Sequence, residues 1–361
     1  MVTVFSIGLE NQAYTARLQR VLAELLGHIP YTVATAPQEW NKAVQTVDSR
    51  NKVAVFVLAL PPAGISYAYV DMVSWLQEDT TDLTGWTGVV IVDGPTELWT
   101  KKIGRELILF ANQAGCAFPG RPLVEATGSL YNFHVQGMVQ QCSLEEAYTR
   151  SAKEALARAI SAAAQRPQAK HRPYLVVLHA SSRATSNTLL LWEMVRKHLG
   201  NAVEIQEISL RNGTVVDCRG CSYAACRHFG ESGDCFYGGV MVEKVYPAVV
   251  EADGVVLLCP NYNDAVSANM MAFFNRLTAL FRREALSFYQ KRLYALVVSG
   301  YSGGDIVAEQ VLGAMNCNKN FRLPPKFALV ETANDPGSIL AVPHIEKKAK
   351  AMARRMLAEF R

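Results

Sequence analysis

The sequence predicts an α/β protein made of two successive five-stranded parallel sheets, each doubly wound with helices on both faces. Three observations carry this expectation. Apolar runs of strand length alternate with longer amphipathic runs along the whole chain, the pattern of repeated strand–helix–strand units. At 361 residues, half of them hydrophobic, the chain can bury two ordinary cores. A polar segment with two prolines, residues 165–173 (QRPQAKHRP), divides it near the middle. The expected domains are therefore 1–165 and 173–361.

The two halves also match each other. Residues 88–94 (GVVIVDG) fall over 294–300 (YALVVSG), and the same register carries Pro119 onto Pro325 and Glu125-Ala126-Thr127 onto Glu331-Thr332-Ala333. Residues 57–61 (VLALP) parallel 255–260 (VVLLCP), each followed by an amphipathic helix carrying Trp75 or Phe274. A duplicated domain explains these pairs. In the second half, strands are expected near 174–179, 203–209, 254–259, 292–299 and 326–331. Helices are expected near 186–199, 240–251, 266–283, 304–317 and 343–360.

Sheets of this kind bind ligands in loops beyond the carboxyl ends of the strands, where the strand order reverses. Three loops of the second half become candidates. After the first strand comes 180–188 (ASSRATSNT), in which Ser181, Ser186, Asn187 and Thr188 surround Arg183 at a helix start. Free backbone N–H groups, hydroxyls, a guanidinium and the positive end of the helix dipole together suit a phosphate. An ordinary turn in which Ser186 or Asn187 only caps the helix is the alternative. After the third strand come Pro260, Asn261, Tyr262 and Asn263; after the fourth come Ser299, Gly300, Tyr301 and Gly303, whose glycines allow close approach to a flat ligand. The matching loops of the first half look stripped. Residues 8–12 (GLENQ) put Glu10 where a phosphate needs donors, and 60–64 (LPPAG) lack the tyrosine. That half reads as a structural or dimerisation module without the cofactor loop, with a separate substrate or partner site as the alternative.

With these loops assembled, residues 173 to about 335 resemble the superfamily of NADPH-dependent FMN reductases and iron–sulfur flavoproteins. Its first loop, commonly G-S-P-R-x-x-G-N-T, corresponds to residues 180–188, keeping Ser181, Arg183 and the Asn187-Thr188 pair. Its second signature, P-x-Y and then S-V-S-A before a helix with an aromatic and an Arg, corresponds to Pro260-Asn261-Tyr262, residues 265–268 (AVSA), Phe274 and Arg276. The resemblance implies two tandem flavodoxin-like domains, the first degenerate. It implies FMN with its phosphate at Ser181, Arg183, Ser186, Asn187 and Thr188, and its ring lined by Pro260, Asn261, Tyr262 and Asn263. Ser299, Gly300, Tyr301 and Gly303 fall on the family's third flavin loop, with Tyr301 where a small residue is common.

Four of the eight cysteines, Cys218, Cys221, Cys226 and Cys235, lie between the second strand and the next predicted helix. In iron–sulfur flavoproteins a cysteine group at this point of the chain holds a cluster near the flavin, so the resemblance implies a [4Fe–4S] site on these four. The spacing here is looser than that family's compact run, and the acidic pair D-D-M after its last cysteine is here Gly239-Val240-Met241. A zinc site or free thiols are the other readings of the segment. Cys116, Cys142, Cys259 and Cys317 are isolated and expected to be small buried hydrophobes. His179 and His228 form no constellation with other ligating residues in the sequence.

Composition narrows the remaining classes. The balance of 36 basic against 32 acidic residues gives a net charge of +4 without a basic block, which argues against nucleic acid as a partner. No apolar run is long enough to span a bilayer, and the first residues look like a strand rather than a targeting signal, so a cytoplasmic location with reduced thiols is expected. No H-E-x-x-H, G-x-S-x-G, G-x-x-x-x-G-K-[ST] or post-strand G-x-G-x-x-G motif occurs. The expected activity is an NAD(P)H-dependent, FMN-containing oxidoreductase passing electrons to a small-molecule or protein acceptor, with no catalytic side chain assigned. The alternative is a flavoprotein electron carrier or redox-regulatory module that docks a partner without reductase turnover. Homo-oligomerisation is expected by family analogy, or a pseudo-dimer within one chain.

Overall fold

The computed structural model describes residues 2–9, 12–46, 52–165, 172–181, 186–211, 213 and 215–361. The chain divides into two compact units, Met1–Gln165 and Arg166–Arg361. Most of the proline-containing linker segment and Glu10 of the first loop lie outside the described residues.

The first unit runs β1 (Val2–Ile7), α1 (Gln12–Leu26), β2 (Tyr31–Ala34), α2 (Pro37–Thr46), β3 (Lys52–Ala59), α3 (Tyr67–Leu76) and β4 (Trp86–Asp93). It ends with α4 (Thr100–Gln113), β5 (Leu123–Ala126), α5 (His134–Gln140) and α6 (Leu144–Ala164). The second unit runs β6 (Tyr174–His179), α7 (Asn187–Leu199), β7 (Glu204–Ser209), α8 (Tyr223–Glu231), α9 (Tyr246–Glu251) and β8 (Gly254–Pro260). It continues with α10 (Ala268–Phe288), β9 (Arg292–Ser299), α11 (Gly304–Leu312), β10 (Ala328–Thr332) and α12 (Ile345–Ala358).

The first sheet has the order β2-β1-β3-β4-β5 and the second β7-β6-β8-β9-β10, with every pairing parallel. This is the flavodoxin-like order, present twice. The register read from the sequence is kept: β4 spans Trp86–Asp93 and β9 spans Arg292–Ser299, so Asp93 and Ser299 occupy the same place at the carboxyl end of the fourth strand.

Strands buried on both faces explain the unbroken apolar runs. In the first unit, Val53, Val55 and Val57 with Val89 and Ile91 face α1 and α6, whose Leu18, Leu22, Leu25, Ala152 and Leu156 cover them. The alternate residues Phe5 and Phe56 point the other way and stack with centroids 5.1 Å apart, with Trp75 closing over Phe5. In the second unit the same geometry places α7 and α12 over Val256, Leu258, Tyr294, Leu296 and Val298. Both cores are therefore of the close-packed kind in which a change of one methylene is felt.

Elements of the second unit differ from the sequence expectation in three places. Helix α8 lies where a loop is expected: Ser222 accepts a hydrogen bond from Ala225 N, and this cap with Ala224 and Ala225 starts a helix inside the cysteine segment. The helix expected over 240–251 begins as a wide π turn at Met241–Val245 before α9. The helix expected over 304–317 likewise ends in a π turn at Gly313–Cys317.

Candidate functional site

The order of the second sheet reverses between β6 and β8, so the carboxyl ends of these two strands lie side by side at the switch point. At the end of β6, His179 Nδ1 donates to the Ser181 carbonyl at 3.1 Å. Burial pushes the imidazole below its usual pKa, against the pull of that bond and of Glu207, so the ring is neutral at pH 7 with Nε2 as acceptor. Arg183 lies outside the described residues.

Helix α7 begins without a side-chain cap. Ser186 stands in the extended N-cap conformation, but its hydroxyl pairs with Thr188 Oγ1 at 3.0 Å rather than with a backbone N–H. The first amides of this thirteen-residue helix thus lack the partner that a capping serine supplies, and an anion suits them. Asn187 acts elsewhere. Its Nδ2 donates to the carbonyls of Ala333 and Asp335, both at 2.9 Å, and its Oδ1 accepts from Ile339 N at 3.3 Å. The Asn187 side chain, a residue expected at the phosphate, therefore ties the helix start to the loop after β10.

After β8 the chain makes a tight reversal. Tyr262 N donates to Ala265 O at 2.9 Å and Ala265 N to Tyr262 O at 3.1 Å, with Asn263 and Asp264 at φ 51° and 58°. Two successive left-handed residues define a type I′ turn, and Asn and Asp tolerate that conformation best among non-glycines. Asn261 Nδ2 donates to Ser302 O at 2.8 Å and Asp264 Oδ1 at 3.2 Å, joining this loop to the one after β9. Gly303 makes the junction possible. Its φ is +78°, and a Cβ there would stand 2.1 Å from Asp264 Oδ1 and 2.9 Å from Asn261 Nδ2.

Around this junction Tyr262 and Tyr301 are exposed, 55% and 81%, as aromatic flanks available to a flat ligand, while Ser299 is buried at the strand end. Asn261 Oδ1 is buried with no hydrogen-bond partner among the described residues. An orphaned acceptor, uncapped helix amides, paired hydroxyls and exposed aromatic rings are the donor and acceptor set that a phosphorylated, ring-bearing cofactor such as FMN needs. Asp264 and the 333–335 loop are not among the residues that the sequence singles out. The Asn263-Asp264 pair is the available signal for the first; nothing local announces the second, since β10 meets α7 only through the fold.

At the equivalent place the first unit holds an ion pair. Asp93 stands where Ser299 stands, and Arg17 on α1 binds it through Nη2 at 2.6 Å and Nε at 3.0 Å. The same guanidinium also donates to the carbonyls of Gly94, Thr127 and Gly128 at 3.3, 2.9 and 3.2 Å. It laces together the segments that follow β4 and β5, so the carboxyl end of β4 carries an ion pair where β9 carries Ser299.

The cysteine segment does not form a ligand set. Cys218 and Cys221 are exposed on a loop, Cys226 is held on α8, and Cys235 follows the helix. Among the described residues no three His, Cys, Asp or Glu side chains are grouped to hold a metal ion. The four cysteines do border one apolar cavity of about 280 Å³, together with Arg276. The four cysteines thus share one cavity without the close grouping that a [4Fe–4S] cluster requires. As expected, Cys116 and Cys259 are buried, with burial pushing the Cys259 thiol up to about 12; Cys142 and Cys317 are half-buried.

Arg276 organises this segment. The side chain is buried, with Nη1 donating to Val216 O at 3.0 Å and Nη2 to Gly238 O at 2.7 Å, one on each side of the cysteines. Arg276→Met removes both bonds and leaves two carbonyls unpaired. The expected cost is about 2 kcal/mol, expressed as local opening. Thiol labelling of native protein should then quicken by roughly tenfold or more at Cys226 and Cys235; unchanged rates would show that the arginine does not hold the segment.

Comparison with known proteins places the second unit. The family described as NADPH-dependent FMN reductase matches residues 173–335, slightly less than half the chain. No curated protein matches. Among solved structures, the chain is similar to the NAD(P)H:quinone oxidoreductase from Methanothermobacter marburgensis, at 13% identity and TM-score 0.39, covering 53% of this chain and 100% of that one. It is also similar to the azoreductase from Bacillus anthracis str. Sterne, at 15% identity and TM-score 0.38, covering 52% and 100%. A third is RosB with bound 8-demethyl-8-formylriboflavin-5'-phosphate, at 17% identity and TM-score 0.42, covering 52% and 79%. No described helix is long and apolar enough to cross a membrane. Residues 173–335, which lie within the second unit, match the family of NADPH-dependent FMN reductases.

Proposed function

We propose that the chain is an NAD(P)H-dependent oxidoreductase with one FMN, bound by the loops after β6, β8 and β9. The observation that carries this is the coincidence of two independent results. The stretch matching the reductase family ends just after β10, and the loops in it that meet at the switch point are those with uncapped helix amides, an orphaned Asn261 Oδ1 and the Gly303 junction.

FMN, when bound, supplies two-electron acceptance from a reduced nicotinamide and onward delivery in one or two steps. The chain's own residues supply orientation. The amides at the start of α7, with the Ser186 and Thr188 hydroxyls, offer donors to the phosphate, and Arg183 carries the matching charge in the sequence. The turn at 262–265 and Gly303 set backbone groups against a ring edge, while Tyr262 and Tyr301 shield its faces from water. No side chain near these loops is needed as acid or base, and none is assigned. The neutral His179 places a proton acceptor beside the phosphate loop without adding charge. The cysteine segment is proposed as thiols, and no electron is routed through it. A small-molecule or docked protein acceptor and an assembly of more than one chain belong to the same proposal.

Anaerobic mixing of the FMN-loaded protein with NADH or NADPH tests this reading. Bleaching of the oxidised flavin within seconds, followed by recovery on adding a quinone or azo dye, is the expected result. Flavin that binds but stays oxidised with both nucleotides would replace the reductase with an electron-carrying module.

A further inference from the structure

The cysteine segment of the second unit doubles back on itself. One limb, residues 216–222, leads into α8, and the other, residues 233–239, leaves it. Arg276 on α10 holds one carbonyl of each limb, Val216 O at 3.0 Å and Gly238 O at 2.7 Å, and the fork of a single guanidinium spans only a short gap. Arg219 of the first limb lies over the Tyr237 ring of the second, 5.8 Å from its centroid. Phe236 packs back on Phe229 of α8, with centroids 5.4 Å apart. The limbs are therefore neighbours, and Cys218, Cys221, Cys226 and Cys235 all border the cavity of about 280 Å³ between them and α10.

Two of these thiols stand on facing limbs beside one phenol. Tyr237 is held above its usual pKa chiefly by Cys221, and Cys235 adds to the effect. Cys221 is exposed and Cys235 half-buried, so a small solute reaches the first and the second waits behind it. Gly220, at φ +64°, precedes Cys221, and a Cβ there would meet nothing within 4 Å, so this limb has room to turn. Cys226 is fixed in the first turn of α8, where its N–H donates to Ser222 O at 2.9 Å. A metal site takes three or four converging ligands, whereas a disulfide takes two.

We propose that Cys221 and Cys235 form an oxidation site for hydrogen peroxide, which joins them in a disulfide across the cavity. The Cys221 sulfur attacks one peroxide oxygen. The O–O bond breaks, a sulfenic acid forms, and the thiol proton leaves in the first water. The Cys235 sulfur then attacks the Cys221 sulfur. The S–O bond breaks, the S–S bond forms, and the second thiol proton leaves in a second water. Two electrons pass from the thiol pair to one peroxide, and flavin takes no part. The link fastens covalently the two limbs that Arg276 already holds by their carbonyls.

The full chain, reduced, desalted and with no nicotinamide present, is treated with a slight excess of hydrogen peroxide, denatured and titrated for thiols. Two of the eight thiols should disappear and should return with dithiothreitol. Cys218→Ser and Cys226→Ser should each still lose two thiols. Cys235→Ser should form no disulfide and should instead carry a sulfenic acid on Cys221, trapped by dimedone and located by peptide mass. Far-UV circular dichroism reports the fold of each variant. A full complement of thiols after peroxide, a disulfide that persists in Cys235→Ser, or one that is lost in Cys226→Ser overturns the proposal.

Discussion

Gly303→Val should lower FMN affinity by about 100-fold or more. Two effects act together. A β-branched residue at φ +78° costs of order 1–3 kcal/mol in backbone strain. Its Cβ also enters the space of Asp264 Oδ1 and Asn261 Nδ2, so the bonds that join the loops after β8 and β9 must break. Both loops then lose the fixed geometry on which ring binding depends. Gly300→Ala provides the contrast. Its Cβ would meet only the Asn334 side chain at 2.8 Å, and its backbone carries no positive φ, so a loss below about tenfold is expected. Flavin fluorescence titration of both variants checks the pair; near-native affinity in Gly303→Val would detach these loops from the flavin.

Arg17→Met should destabilise the first unit by about 3 kcal/mol at pH 8, the cost of leaving one member of a buried ion pair without its partner. The loss should shrink as the pH falls toward 5. Burial pushes the Asp93 carboxyl above its usual pKa, and Arg17 pulls it back. Without the guanidinium the folded-state pKa rises further, so between the unfolded and folded values the native state binds the proton more tightly. Stability is then present below that window and is lost as pH rises through the folded pKa. Urea unfolding at several pH values measures this, and a wild-type-to-variant gap constant from pH 5 to 8 would contradict it. FMN binding by the second unit should be unaffected.

Much of the fold is legible in the sequence because parallel strands buried on both faces leave apolar runs that periodicity cannot hide. The duplication sharpens it: residues 88–94 over 294–300 establish the equivalence of β4 and β9, and with it the pairing of Asp93 with Ser299. Helix α8 is obscured by its cysteines, which point toward a metal loop, although Ser222 and the Ala pair after it are an ordinary capped helix start. In the site, composition reveals the loops but not the roles of single residues. Asn187 looks like a phosphate ligand in a one-dimensional motif; only the approach of the loop after β10 to α7 reveals the three backbone partners that claim its amide. The Arg17–Asp93 pair, separated by 76 positions, leaves no local signature at all.

The central claim, one flavin site per chain and that one in the second unit, is tested most directly by the stoichiometry and location of FMN. Titration of FMN-stripped full-length protein, followed by flavin fluorescence, should saturate at one FMN per chain and should lose that binding in Gly303→Val while keeping it in Arg17→Met. Saturation at two per chain, or no binding in the wild type, would contradict the account.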